Sequence, residues 1–349
     1  LLRPAKLAIF PWLTPVIHQD ARQCDPVTGP LQTPGVQGIR LHPPLRGYRL
    51  ATAPRRKESP LHYEGQIIRP PSEADSILLQ VTVGCSHNSC AFCGAYLGER
   101  FRIKDESVVF ADIDFAARHM PGMRRLFLCD GDAMAMPAPR LERILARVRE
   151  RLPRVGRVGV YASALSLARK SGAELEALRG LGLSMVYMGL ESGDDELLAA
   201  MGKKARVADM LAQAAKVRLG GMKLSVTVIT GLAGKSGWER HARLTGQALT
   251  AMEPDQAAAL SLMLVPGTPL WADMEAGRFM PQDARGLVAE LREILAHTAM
   301  PRGLFLADHA SNHLPLKLRL PRDRQHGLDL LDAALAGRAP LKPEHMRGL

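Results

Sequence analysis

No run of about 18 apolar residues occurs along the chain, so no membrane-spanning helix is expected. The opening stretch LLRPAKLAIFPWLTP is too broken by proline and too weakly apolar for a secretory leader. No internal repeat of fixed period and no low-complexity tract is present. Cysteine is scarce: five residues in 349, three of them within nine positions. An odd, clustered set excludes a disulfide framework and points to a metal or cluster site in a reducing, cytoplasmic compartment.

The rest of the composition is ordinary for a globular protein, with 46% hydrophobic and 23% charged residues. The length suits one large domain or two modest ones. The net charge is +11, and +6 of it lies in residues 1–70. A basic segment of this kind, with Arg55, Arg56 and Lys57, can bind RNA or an anionic surface. A solvated surface is the simpler reading. Residues 1–71 also hold 12 of the 25 prolines. They are expected to form a poorly structured lead-in that wraps the main domain, its last stretch from Tyr63 to Pro71 packing on it.

From Ser76 onward, short apolar runs alternate with helical patterns. Strands are expected at 77–83, 125–129, 157–162, 184–190, 223–230 and 257–265. Helices are expected at 106–119, 140–151, 172–181, 194–201, 206–218 and 237–252. Six β-then-α units with short connections imply a parallel sheet with right-handed crossovers. Burial on both faces explains strands that are apolar almost throughout. The fold class is α/β. A partial (β/α)6 TIM-type barrel and a doubly wound open sheet both fit the count. Either fold puts reactive residues at strand C-termini. Residues 72–270 are the expected core barrel, and 271–349 a short helical C-terminal extension covering it. That extension has helices at 282–298 and 323–335 and an irregular stretch at 304–320.

The chemistry is carried by GCSHNSCAFC, in which Cys85, Cys90 and Cys93 are spaced C-x4-C-x2-C directly after the first strand. Three thiolates can hold three irons of a [4Fe–4S] cubane and leave the fourth iron open for a substrate. A Cys3His zinc site using His87 is the alternative, although no second ligand pair follows. Gly84 allows the tight turn into the loop.

This motif resembles the radical S-adenosylmethionine (SAM) superfamily, with one extra residue in the first gap of the usual C-x3-C-x2-C. Further phrases follow in the family's order. Phe92 matches an aromatic position near the adenine. CDGDA places Gly131 and Asp132, with Asp130 as the alternative, where members bind the SAM amino group. Ser163 in YASAL and Glu191 and Ser192 in GLESGDD stand at the third and fourth strand ends. TGLAGKSGWE resembles a glycine-rich adenine motif. The GLESGDD phrase is similar to the subgroup of the Elongator catalytic subunit and the oxygen-independent coproporphyrinogen oxidases.

The resemblance implies an oxidoreductase-type enzyme with a [4Fe–4S] cluster and SAM as cofactors. It would cleave SAM reductively to a 5′-deoxyadenosyl radical that takes hydrogen from a substrate. It further implies a low-potential electron donor of the flavodoxin or ferredoxin type. A small-molecule substrate is the primary expectation. An RNA-modifying enzyme, drawing on the basic lead-in, and a non-catalytic iron–sulfur or tetrapyrrole-binding protein are the alternatives.

Each candidate also has a plainer role. Asp130 and Asp132 can cap the next helix, as Asp194 and Asp195 are expected to do. Glu191 can pair with a cation, and Lys203 and Lys204 read as a solvated face. Cys129 reads as a buried, inert thiol. Asp308, His309, Asn312 and His313 crowd one short stretch. They either close the substrate end of a cavity or satisfy buried backbone groups.

Overall fold

The computed structural model describes residues 61–348. The expected wrapping of residues 1–60, including the Arg55–Lys57 triplet, lies outside the described residues. The strands, in chain order, are β1 (Ile77–Gln80), β2 (Thr82–Val83), β3 (Arg102–Ile103), β4 (Arg125–Cys129), β5 (Arg157–Ala162), β6 (Leu183–Glu191), β7 (Lys223–Thr230), β8 (Gln256–Ser261), β9 (Gly303–Leu306) and β10 (Lys317–Leu320). Between and after them run α1 (Glu106–His119), α2 (Ala138–Arg151), α3 (Ala164–Ala168), α4 (Gly172–Gly180), α5 (Asp195–Ala200), α6 (Val207–Leu219), α7 (Trp238–Met252), α8 (Pro269–Glu275), α9 (Ala284–Ala296) and α10 (Arg324–Leu335).

The main sheet runs β1-β4-β5-β6-β7-β8-β9-β10. Every pairing in it is parallel except β9 with β10. This order is that of a partial TIM-type barrel, with β1 and β10 as its two edges. Alternation along each strand serves two cores. In β4, Leu126 and Leu128 face the helices and join Val109, Ile113, Leu141 and Ile144. Phe127 and Cys129 face the other way and pack with Leu78, Met185, Tyr187 and Ile67. Ile67 belongs to the lead-in, so residues 61–70 fill part of the inner face. They are tied there by Tyr63 Oη donating to the Leu78 carbonyl (2.9 Å) and by Glu64 N donating to Gln80 Oε1 (2.9 Å).

Four expectations need correction. The run 77–83 is two strands, because the chain leaves the main sheet at Val81 and Thr82–Val83 pair antiparallel with β3. A continuously apolar run has no period to mark such a change of partner. The sixth expected strand ends at Ser261, and the following residues turn away to pack on the cysteine loop. The irregular stretch at 304–320 contains β9 and β10. Hence the parallel strands number seven, not six, and segment 271–349 extends the sheet as well as covering it. Strands of four residues show too little alternation to be read from sequence. Helices α3 and α8 were also not anticipated. Each is a short helix capped by a hydroxyl, Ser163 accepting from Ser166 N and Thr268 accepting from Trp271 N.

Candidate active site

The cysteine loop leaves β2 at the C-terminal mouth of the sheet and is fixed by backbone and side-chain hydrogen bonds. Ala91 N donates to the Met201 carbonyl (2.8 Å), Leu270 N donates to the Ala91 carbonyl (3.0 Å), and Asn88 Nδ2 donates to the Tyr96 carbonyl (2.7 Å). The loop seats directly on Gly131. A Cβ at that position would stand 2.6 Å from Cys85 Cβ and 2.7 Å from the Tyr96 ring, so only glycine permits the approach.

A cavity of about 540 Å³ opens beneath this loop, within the usual range for small-molecule sites. Cys85, Cys90 and Cys93 line it on one side. Phe92, Gly131, Ser163 and Glu191 line it as well, so the sheet brings together residues spread over about a hundred positions. Asp130, Asp132 and Ser192 do not line it.

The thiols are partly buried and free. Burial pushes Cys85 up to about 12 and Cys90 up to about 11, and raises Cys93 too. A nucleophilic cysteine needs the opposite shift. Thiols in this setting become thiolates when a bound metal supplies positive charge. Among the described residues, no three His, Cys, Asp or Glu side chains converge on a single ion. In a cubane each thiolate takes a different iron, so the sulfurs stand apart. His87 directs Nε2 to the Gly202 carbonyl, 3.1 Å away. The donor set fits a three-cysteine cluster better than a mononuclear zinc site.

The two aspartates differ. Asp132 is fully buried and its carboxylate is saturated. It accepts from Ser163 N (3.0 Å), Ser163 Oγ (2.8 Å), Ser166 Oγ (2.7 Å) and Ser86 Oγ. It thereby joins the cysteine loop to the start of α3. Asp130 has a left-handed backbone, φ 76°, and accepts from Gln80 Nε2 and from Tyr96 Oη (3.4 Å). Burial raises its carboxyl to about 7 against these hydrogen bonds.

Glu191 also has positive φ, 64°, and pairs with Lys203 Nζ at 3.0 Å. Lys203 is therefore a cavity-wall residue, not a solvated one, with its side chain 14% exposed. Lys204 lines the cavity and remains exposed. Ser192 points away, into a buried chain. Its Oγ lies 2.8 Å from His241 Nδ1, His241 Nε2 lies 3.1 Å from Glu290 Oε1, and that oxygen accepts from Gly231 N (2.9 Å). His241 and Glu290 were not singled out from sequence. Glu290 is a lone polar residue on the apolar face of α9, and His241 shares the buried face of α7 with Thr245, which was the signal available. Asp194 caps α5 by accepting from Glu196 N (3.0 Å), while Asp195 accepts from Val207 N (2.7 Å). Cys129 is buried in the inner core.

In the C-terminal cluster, Asn312 is structural. Its Nδ2 donates to the Ala259 and Ala307 carbonyls, both at 2.9 Å, and its Oδ1 accepts from Ser261 Oγ at 2.9 Å. His313 Nδ1 faces the Lys342 carbonyl at 2.7 Å. Asp308 and His309 line the cavity, and burial lowers His309 to about 4, so it is neutral. Tyr161 and Tyr187 line the cavity and were also missed. Alternation with Gly159 on the inner face of β5 was the only hint for Tyr161.

Among known proteins, residues 79–244 match the family model described as Radical SAM superfamily. No curated protein matches the chain. Solved structures with similar folds include the radical S-adenosylmethionine methyltransferase TsrM from Kitasatospora setae, with cobalamin and a [4Fe–4S] cluster bound. It has 18% identity and a TM-score of 0.48, covering 58% of this chain and 37% of that one. Methylornithine synthase PylB has 14% identity and a TM-score of 0.48, covering 74% and 69%. Coproporphyrinogen III oxidase HemN from Escherichia coli has 14% identity and a TM-score of 0.48, covering 63% and 51%. The chain thus spans little more than a third of the TsrM length.

Proposed function

Because residues 79–244 belong to the radical SAM superfamily, we propose that this chain is an enzyme that takes hydrogen from a small-molecule substrate held in the cavity beneath Cys85, Cys90 and Cys93. The observation that carries this reading is the shared wall: the three cysteines and the expected SAM-side residues Phe92, Gly131, Ser163 and Glu191 line one cavity. When bound, the cluster and SAM supply one-electron reduction of the sulfonium and a 5′-deoxyadenosyl radical.

The chain supplies placement. Cys85, Cys90 and Cys93 would each hold one iron, and Gly131 lets the loop seat close to β4. Ser163, Glu191 and Lys203 offer polar atoms where SAM would lie, and Phe92 offers a ring for adenine. Asp132 acts through others: with four donors already bound, it holds Ser86 and Ser163 in place. Residues 61–70 and the two tyrosines close the inner face against water, which protects a reactive radical. A low-potential donor of the flavodoxin or ferredoxin type would provide the electron.

The test is anaerobic reconstitution with iron and sulfide, reduction by dithionite, addition of SAM and assay of 5′-deoxyadenosine. Slow production in the wild type, absent from a Cys85, Cys90, Cys93 triple-alanine variant, is the expected result. Zinc in place of a cluster would overturn the proposal.

A further inference from the structure

Three polar side chains on the inner face of the barrel are engaged by no other described residue. Ser225 and Thr227 on β7 and Gln256 on β8 all line the cavity, and none of their side chains has a hydrogen-bond partner among the described residues. Other hydroxyls around the cavity are committed: Ser163 to Asp132, Thr230 to Ser261, Ser261 to Asn312 and Ser311 to His309. Ser225 is only 4% exposed, so the space its side chain meets is the cavity.

Strand register sets the three side by side. Ser225 stands between Tyr187 and Gln256 in one row across the sheet, and Leu304 follows Gln256. In the next row Thr227 stands between Gly189 and Ala258, and Leu306 follows. Every residue of both rows lines the cavity, and the small Gly189 and Ala258 leave space around Thr227. The paired Ile229 and Leu260 lie further along the same strands, and Ile229 packs in one cluster with Phe92 of the cysteine loop. At the rise of an extended strand, the Thr227 and Ser225 rows are about 7 and 13 Å deeper than that pair. The Tyr161 hydroxyl also has no partner among the described residues, but it is shielded from solvent and is not counted in the set.

The charged groups of the cavity lie elsewhere. Glu191 ends β6 and pairs with Lys203, Lys204 follows, and Asp308 comes after β9, all towards the mouth. Lys317 is exposed on the edge strand, and Arg157, which reaches the Tyr187 hydroxyl, is neutralised by Glu73. A carboxylate set against Ser225 and Gln256 would therefore be buried without a counter-charge, at a high cost. A carboxamide would not. It carries donor and acceptor side by side, as Gln256 does, and a hydroxyl can give or take a hydrogen bond. Resting on the reading of this cavity as the reaction chamber, we infer that Gln256, Ser225 and Thr227 bind a carboxamide group of the substrate, an open amide or a ring lactam. Held at that depth, the group fixes which part of the substrate faces the cysteine loop.

The experiment uses the reconstituted full chain without SAM, titrated by ligand-observed NMR with phenylacetamide, phenylacetate and methyl phenylacetate, which share a ring and differ at the polar group. Phenylacetamide should bind about fivefold more tightly than either of the others, the gain expected of a hydrogen bond they cannot complete. Gln256→Met should bring the amide level with the ester, and Thr227→Val should weaken the amide about threefold, with the ester unchanged in both. Both variants should melt at or above the wild-type temperature, because the polar atoms removed have no protein partner to lose. Melting several degrees lower, phenylacetate binding as tightly as the amide, no amide preference in the wild type, or a preference that survives Gln256→Met would each overturn the inference. The 5′-deoxyadenosine assay is independent of these titrations, so failure of the amide subsite and failure of the radical SAM reading are told apart.

Discussion

The carboxylates of Asp130 and Asp132, two positions apart, are turned to different partners by the backbone between them. Asp132 accepts four hydrogen bonds, whereas Asp130 is held by Gln80 and Tyr96 and is raised by burial to about 7. An acid that ionises near 3.8 when unfolded and near 7 when folded makes the folded state the better proton holder between those values. Its contribution to stability is therefore greatest at low pH and is lost as pH rises from about 4 to about 7. The expected loss between pH 5 and pH 8 is on the order of 2 kcal/mol. Asp130→Asn should lack this slope. Urea denaturation of both proteins at pH 5 and pH 8 checks it, and an unchanged difference at the two values counts against the assignment. Sequence placed both aspartates near the site through CDGDA but could not say which was already satisfied, because the satisfying groups, Ser86, Ser163 and Gln80, come from other segments.

At the scale of elements, the loop after β6 is coupled to α7 more tightly than its sequence suggests. Gly193 lies against the Leu244 carbonyl within α7, and a Cβ there would collide with helix backbone. Gly193 N also donates to Thr245 Oγ1 (2.9 Å). Beside it, Ser192, His241 and Glu290 link the loops after β6 and β7, both of which adjoin the cavity. Gly193→Ala should displace the loop that follows Glu191 and cost about 2 kcal/mol or more, since helix backbone cannot yield as a side chain can. Thermal melting and SAM affinity should fall together, and normal values for both would refute this coupling. The phrase GLESGDD was legible as a strand end. Its contact with α7 was not, since that contact spans about fifty residues.

For the whole molecule, β9 and β10 change what the C-terminal third does. They extend the main sheet beyond β8, supply the cavity residues Leu304, Leu306 and Lys317, and sit under α9 and α10. Truncation after residue 270 would expose the edge of β8 and remove Glu290 from its buried chain. Such an edge pairs readily with other chains. A fragment of residues 1–270 should therefore aggregate on size-exclusion chromatography. A folded, monodisperse fragment would show that the C-terminal third is a separable cover.

Sequence by itself determined the cysteine spacing, the βα alternation and the order of the motifs, because each is a local pattern: a loop of nine residues, or an apolar run of strand length. Those suffice for the superfamily and for most strand and helix positions. Tertiary structure alone decided that seven strands run parallel, that Lys203 belongs to the cavity wall, that Asp132 is saturated, and that the Tyr161 hydroxyl is buried without a partner among the described residues. These are properties of groups distant in the chain. Whether a buried polar atom has a partner depends on what folding brings beside it, and spacing along the chain carries no record of that.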